Sequence, residues 1–147
     1  MRIFTDGPAV AYATSDSAGF DIPVSGDYYI RPGELVRMKT GLVIESPPGC
    51  WIGVLLRSST PKRWGLMIPN GMGVIDEDYN GPDDEIQIQV VNFTRNPVSV
   101  PNGTVLAQGI IFPRIEHPIE MSKPAENWNK SRGGFGSTDD DERRRAA

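Results

Sequence analysis

The 147-residue chain holds one cysteine, Cys50, and one histidine, His117. A single cysteine excludes an internal disulfide framework and any multi-cysteine metal site. A single histidine excludes a multi-histidine zinc site and argues against a Ser-His-Asp triad. Any chemistry must therefore fall to carboxylates, hydroxyls and an oxygen-bound metal. No segment reaches the roughly 20 apolar residues of a membrane span. The first residues lack the charged-then-apolar pattern of a signal peptide. Positive charge is grouped only at the arginines 143–145, and the net charge is −4. That leaves no basic face for nucleic acid. Neither G-x-x-x-x-G-K-[ST] nor G-x-G-x-x-G occurs, which excludes P-loop and Rossmann nucleotide sites. The expectation is a single-domain cytoplasmic protein with neither nucleic acid nor membrane as partner.

What the chain does have is proline, 13 residues of it, which argues against long helices. Apolar runs of four to eight residues recur between turn clusters: LVRMKTGLVI (35–44), CWIGVLL (50–56), EIQIQVV (85–91), VSV (98–100) and TVLAQGIIF (104–112). Ile86, Ile88 and Val90 alternate with polar neighbours, the period of a half-buried strand. Short strands at regular spacing predict an all-β sandwich, jelly roll or barrel. One short helix is predicted in RSSTPKRWGLM (57–67): Ser or Thr before Pro61 starts it, and Gly65 stops it after about one turn. Its start is a reasonable seat for phosphate, with Arg57, Ser58 and Ser59 just ahead. From residue 118 the strand pattern ends. Residues 1–117 are expected to form the β domain and 118–147 a flexible arm.

Three local features stand out. NGMGVIDEDYNG (70–81) reads as strand–turn–strand, yet carries Asp76, Glu77, Asp78 and Tyr79 in a row. The acids follow Gly73, Val74 and Ile75 in a strand pattern, so at least one is expected to face the inside or an interface. Asp21 in AGFDI (18–22) reads equally as a turn aspartate or a functional one. Gln108 lies in a strand between apolar residues, as a core-edge glutamine also would. In the arm, GGFGST places a lone aromatic among glycines and hydroxyls. The glycines let backbone N–H groups approach an anion, and Phe135 is free to stack on a flat ligand.

Taken together, AGFDI, RSST-x₄-GL (57–66), NGMGVIDEDYNG, NGTVLAQ (102–108) and RGGFGST (132–138) resemble, in order, the five motifs of the homotrimeric dUTPase family. These enzymes split dUTP into dUMP and pyrophosphate, which keeps uracil out of DNA and supplies dUMP for dTMP synthesis. The resemblance implies a jelly-roll-like distorted β-barrel with one short helix and a flexible C-terminal arm. It implies a homotrimer with three sites, each at a subunit interface. One subunit would give the first, second and fourth motifs, a second the third, and the arm of a third subunit the last.

Carried over by motif, Asp76 matches the general base that activates water for attack on the α-phosphorus. Mg²⁺ is implied as cofactor, held by triphosphate oxygens and waters, with Asp21 reaching it through water. Arg57, Ser58, Ser59 and Gln108 match phosphate or water contacts. Asn70 and the backbone of Gly73, Val74 and Ile75 match the readers of the uracil edge. Tyr79 matches the residue under deoxyribose that leaves no room for a 2′-hydroxyl. Phe135 matches the lid on uracil, with Gly136, Ser137 and Thr138 at the γ-phosphate beside Arg132 or Lys130. The departures are Ser59 and Thr104 where glycine and an acid are common, a short fifth motif, and Asp139 after Thr138. The short arm motif suits a phage or bacterial member, acting in the host cytoplasm if phage-encoded. A dCTP deaminase of the same fold is the nearest rival, but Gln89 stands where it would need a glutamate. A nucleotide-dependent regulatory binding protein on this scaffold is the rival of another class.

Overall fold

Prolines and glycines cut the chain into short strands. The computed structural model describes residues 1–121 apart from Asp6 and Pro8. In chain order they form β1 (Arg2–Thr5), β2 (Gly19–Pro23), β3 (Tyr28–Ile30), β4 (Leu35–Lys39), β5 (Leu42–Glu45), β6 (Cys50–Leu56), α1 (Thr60–Trp64), β7 (Leu66–Met67), β8 (Gly73–Ile75), β9 (Gln87–Asn92), β10 (Val98–Val100) and β11 (Val105–Pro113). Every pairing is antiparallel. The largest sheet runs β2-β11-β6-β8 and a second runs β4-β9-β7. Two-stranded ribbons pair β1 with β5 and β10 with β3. The fold is all-β and jelly-roll-like. The strands belong to a unit spanning Met1–Ile115. A second unit begins at Glu116, and its described residues, 116–121, have no regular structure. Among the described residues no helix is long and apolar enough to cross a membrane.

Alternation builds the core. Ile86, Ile88 and Val90 are at most 1% exposed, and Phe20, Ile22, Ile52 and Leu106 pack with them. Each such side chain contributes roughly 1.5–3 kcal/mol by leaving water. Buried polar groups are satisfied: Thr40 Oγ1 donates to the Ile86 carbonyl at 2.6 Å, and Thr60 Oγ1 to that of Leu106 at 2.6 Å. Asn92, wholly buried, donates to the carbonyls of Ile30 and Asn96 and accepts from Thr94. It anchors the turn that follows β9.

The structure departs from the sequence reading in four places. The run 35–44 is two strands, because Gly41 takes φ +68° and breaks it. Residues 85 and 86 precede β9 rather than start it, since the Glu85 carboxylate turns back to accept from the N–H groups of Thr40 and Gly41, at 3.1 and 2.8 Å. The helix starts at Thr60, one residue before Pro61, and Ser59 makes no side-chain capping bond. Gly65 does end it, in a left-handed conformation. Finally, 70–81 is not a hairpin. Only β8 forms, as an edge strand on β6. The chain then turns, Tyr79 N–H donating to the Asp76 carbonyl at 3.2 Å, and no second strand forms within residues 76–81.

Candidate active site

Asp21 sits in the middle of β2, not in a turn. Its register partner on β11 is Gln108, which in turn faces Leu55 on β6. Two glycines make this possible. A Cβ on Gly19 would come within 3.1 Å of the Gln108 side-chain oxygen, and a Cβ on Gly109 would run into the ring of Phe20. Arg57 leaves the end of β6 with its N–H bonded to the Leu106 carbonyl at 2.9 Å. Its guanidinium stands 3.5 Å from the Asp21 carboxylate, and both are only part-buried. Ser58 and Ser59 follow with exposed side chains. The fold thus gathers Asp21, Arg57 and Gln108 at one end of the sheet: a cation, a carboxylate and an amide at hand for phosphate and bound water.

The second group lies around β8. As the terminal strand of its sheet, β8 has one edge without a ladder partner among the described residues. Those N–H and C=O groups can pair with an incoming flat ligand. Val74 is 57% exposed. Beside it lies a cavity of about 270 Å³, lined by Val74, Ile75, Asp76, Tyr79, Arg37 and Glu85 among others. This is just below the roughly 300 Å³ at which drug-sized pockets begin, room for a nucleoside rather than a whole triphosphate. The Tyr79 hydroxyl donates to the Glu85 carbonyl at 3.4 Å, which steadies the ring. The exposed Asp76 carboxylate has no side-chain partner among the described residues. A larger cavity of about 910 Å³ opens on the other side of Asp76. Four carboxylates, Glu45, Asp76, Glu77 and Asp78, line it against one cation, Arg114, whereas the smaller cavity sets Asp76 and Glu85 against Arg37; the smaller cavity repels an anionic ligand less. The Asn70 side-chain amide is engaged in its own turn, donating to the Met72 carbonyl at 3.1 Å.

One chain does not join the two groups. Ile75 faces Ile52 on β6, which puts Asp76 near Trp51, whereas Arg57 lies past the far end of that strand. Six residues of strand separate the two levels, about 20 Å.

A family model described as dUTPase matches residues 5–139. The chain belongs to the dUTPase family. A relative, the deoxyuridine 5'-triphosphate nucleotidohydrolase of Desulfitobacterium hafniense, is 38% identical over 130 residues, 86% of this chain and 84% of that protein. Among solved structures, the dUTPase of Streptococcus mutans superposes with a TM-score of 0.73 at 30% identity, covering 80% of this chain and 97% of that one. A point variant of the dUTPase from Staphylococcus aureus phage phi11, with a structural Mg(II) ion, has a TM-score of 0.74. At 18% identity over 85% of this chain and 97% of that one, it is similar in fold alone.

Within this dUTPase-family chain, Lys130, Arg132, Phe135, Gly136, Ser137 and Thr138 lie outside the described residues. The sequence reading named Glu77 only as one of the acidic run and gave no role to Glu77, Glu85 or Arg114. Glu77 accepts from the Gly49 N–H at 2.9 Å and stands 3.6 Å from the Arg114 guanidinium. Their partners are distant in sequence, so no local pattern marked them.

Proposed function

We propose that this protein hydrolyses dUTP to dUMP and pyrophosphate, acting as a homotrimer in the cytoplasm, that of the host if phage-encoded. The carrying observation is the split site: Asp21, Arg57 and Gln108 at one end of β6, Asp76 and Tyr79 about 20 Å away at the other. Neither half suffices alone, and a second copy of the chain supplies the missing one. An exposed apolar strip supports assembly. Leu35 and Met67 both face Val91 in the β4-β9-β7 sheet, and Phe93 follows two residues on.

In this reading the open edge of β8 pairs with uracil through Gly73, Val74 and Ile75, with Asn70 holding the approach turn. Cytosine would leave those groups mispaired, which costs orders of magnitude. Tyr79 packs against deoxyribose. Arg57, with the hydroxyls of Ser58 and Ser59, holds phosphate oxygens where charge develops. The Asp76 carboxylate accepts a proton from water as that water attacks the α-phosphorus, and pyrophosphate leaves. Arg132, Phe135, Gly136, Ser137 and Thr138 close over the nucleotide from the arm of a third subunit.

The residues suit Mg²⁺ in one way only. Among the described residues no three His, Cys, Asp or Glu side chains are placed to hold a metal ion by themselves. The half-exposed oxygens of Asp21 and Gln108 fit an ion held mainly by phosphates and waters, which Mg²⁺ favours. When bound, Mg²⁺ neutralises charge on the phosphates.

The deciding experiment is pyrophosphate release from dUTP, UTP, dTTP and dCTP, with and without Mg²⁺. Release from dUTP alone, dependent on Mg²⁺, is expected. Ammonia from dCTP would make the protein a deaminase instead.

A further inference from the structure

The Asp76 carboxylate has no side-chain partner among the described residues, so its place depends on the backbone that carries it. That backbone has left β8, whose pairing with β6 ends at Ile75. Beyond it, a single turn closes between the Tyr79 N–H and the Asp76 carbonyl. The adjoining residue, Glu77, is tied down. One carboxylate oxygen accepts from the Gly49 N–H at 2.9 Å, and the other stands 3.6 Å from Arg114 Nε. The Gly49 carbonyl accepts from the Arg114 N–H at 2.8 Å. Glu77, the Gly49 peptide and Arg114 thus close a ring. Its other members are rigid: Gly49 follows Pro47 and Pro48, whose φ angles are locked, and Arg114 directly follows β11.

We infer that Glu77 is a positioning residue for Asp76, anchoring the turn that carries it to the β5–β6 turn at Gly49 and to the end of β11. Glu77 is not itself the base, because its carboxylate is turned to Gly49 and Arg114 and does not line the nucleoside-sized cavity. The hydrogen bond to Gly49 is the anchor. The 3.6 Å ion pair is half-exposed, at 36% for Glu77 and 51% for Arg114, and contributes little. The inference rests on the proposed hydrolysis, in which a base displaced by about 1 Å costs up to a hundredfold in rate.

The test uses the full chain, with pyrophosphate release from dUTP and binding of a non-hydrolysable imido analogue measured on each variant. Glu77→Ala should lower kcat roughly tenfold to a hundredfold while analogue affinity stays within about threefold. Glu77→Gln keeps an acceptor for the Gly49 N–H and should recover kcat to within about threefold of the parent. If Glu77→Ala does not fold, Glu77→Asp, one methylene short of Gly49, should show the fall in kcat instead. Amide exchange at Gly49 should quicken in the Ala variant and not in the Gln variant, a readout independent of turnover. Parental kcat in the Ala variant, or a Gln variant as slow as the Ala one, overturns the inference. A parent chain that releases no pyrophosphate overturns the proposed hydrolysis, while Gly49 exchange still reports on the anchor.

Discussion

Two adjacent acids have opposite surroundings. Asp76 projects into solvent at the mouth of the nucleoside-sized cavity, while Glu77 is bonded back onto the barrel. Replacing Asp76 by Asn keeps size and polarity but removes the proton acceptor. Pyrophosphate release should fall by at least about a hundredfold with analogue affinity nearly unchanged, the loss expected for a general base. Single-turnover assays and calorimetry would check it, and near-normal turnover would remove Asp76 from the role. Tyr79 is held by its hydroxyl against the Glu85 carbonyl. Tyr79→Ala should open the space beside the sugar, so the preference for dUTP over UTP should narrow in a competition assay. The sequence marked Asp76 and Tyr79 because acids and an aromatic crowd one turn. It could not mark Glu77 as different from Asp78, because that distinction lies in Gly49, 28 positions away.

Among the elements, β2 and β11 carry the phosphate side of the proposed site, and their glycines are spacers. The ring of Phe20 fills the room that Gly109 leaves. Gly109→Ala should force that ring aside and destabilise the fold by about 1–3 kcal/mol. Because Asp21 follows Phe20, turnover should fall as well, and thermal unfolding with the pyrophosphate assay would show both. At the first strand, Arg2 holds Glu45 across β1 and β5 at 2.7 Å. Hydrogen bonding to Arg2 holds the Glu45 carboxyl below its usual range. A lowered folded-state value means the contribution is complete above the unfolded-state pKa and is lost as pH falls through the folded one. Protection of the β1 amides, taken relative to their intrinsic exchange rate at each pH, should therefore fall in that acid window, less so in Glu45→Gln. Period-two alternation made β9 and β11 legible, whereas the break at Thr40 and Gly41 depends on Glu85 from elsewhere in the chain.

For the molecule as a whole, the two halves of the proposed site lie about 20 Å apart, too far for one chain to use both. Mixing two inactive proteins tests this directly. Asp76→Asn and Arg57→Ala proteins, unfolded and refolded together, should regain part of the parental turnover. In the proposed trimer, some mixed interfaces would unite an intact Arg57 with an intact Asp76. No recovery would mean that a site forms within one chain. Removing residues after Asn127 should lower turnover sharply while sedimentation still reports the same assembly.

The sequence by itself determined the strand-rich class, through alternation and proline punctuation, and the order of the five motifs that place the chain among dUTPases. It also excluded multi-cysteine and multi-histidine metal sites, since one cysteine and one histidine cannot build them. Only the tertiary structure decided that Asp21 is a strand residue beside Gln108 and Arg57, that β8 is an open edge rather than half a hairpin, and that Glu77 is an anchor. The physical reason is range. Alternation and turn chemistry act over a few residues, but β2–β11 register, the β8 edge and the Glu77–Gly49 bond join positions about 20 to about 90 residues apart, and only folding brings them together.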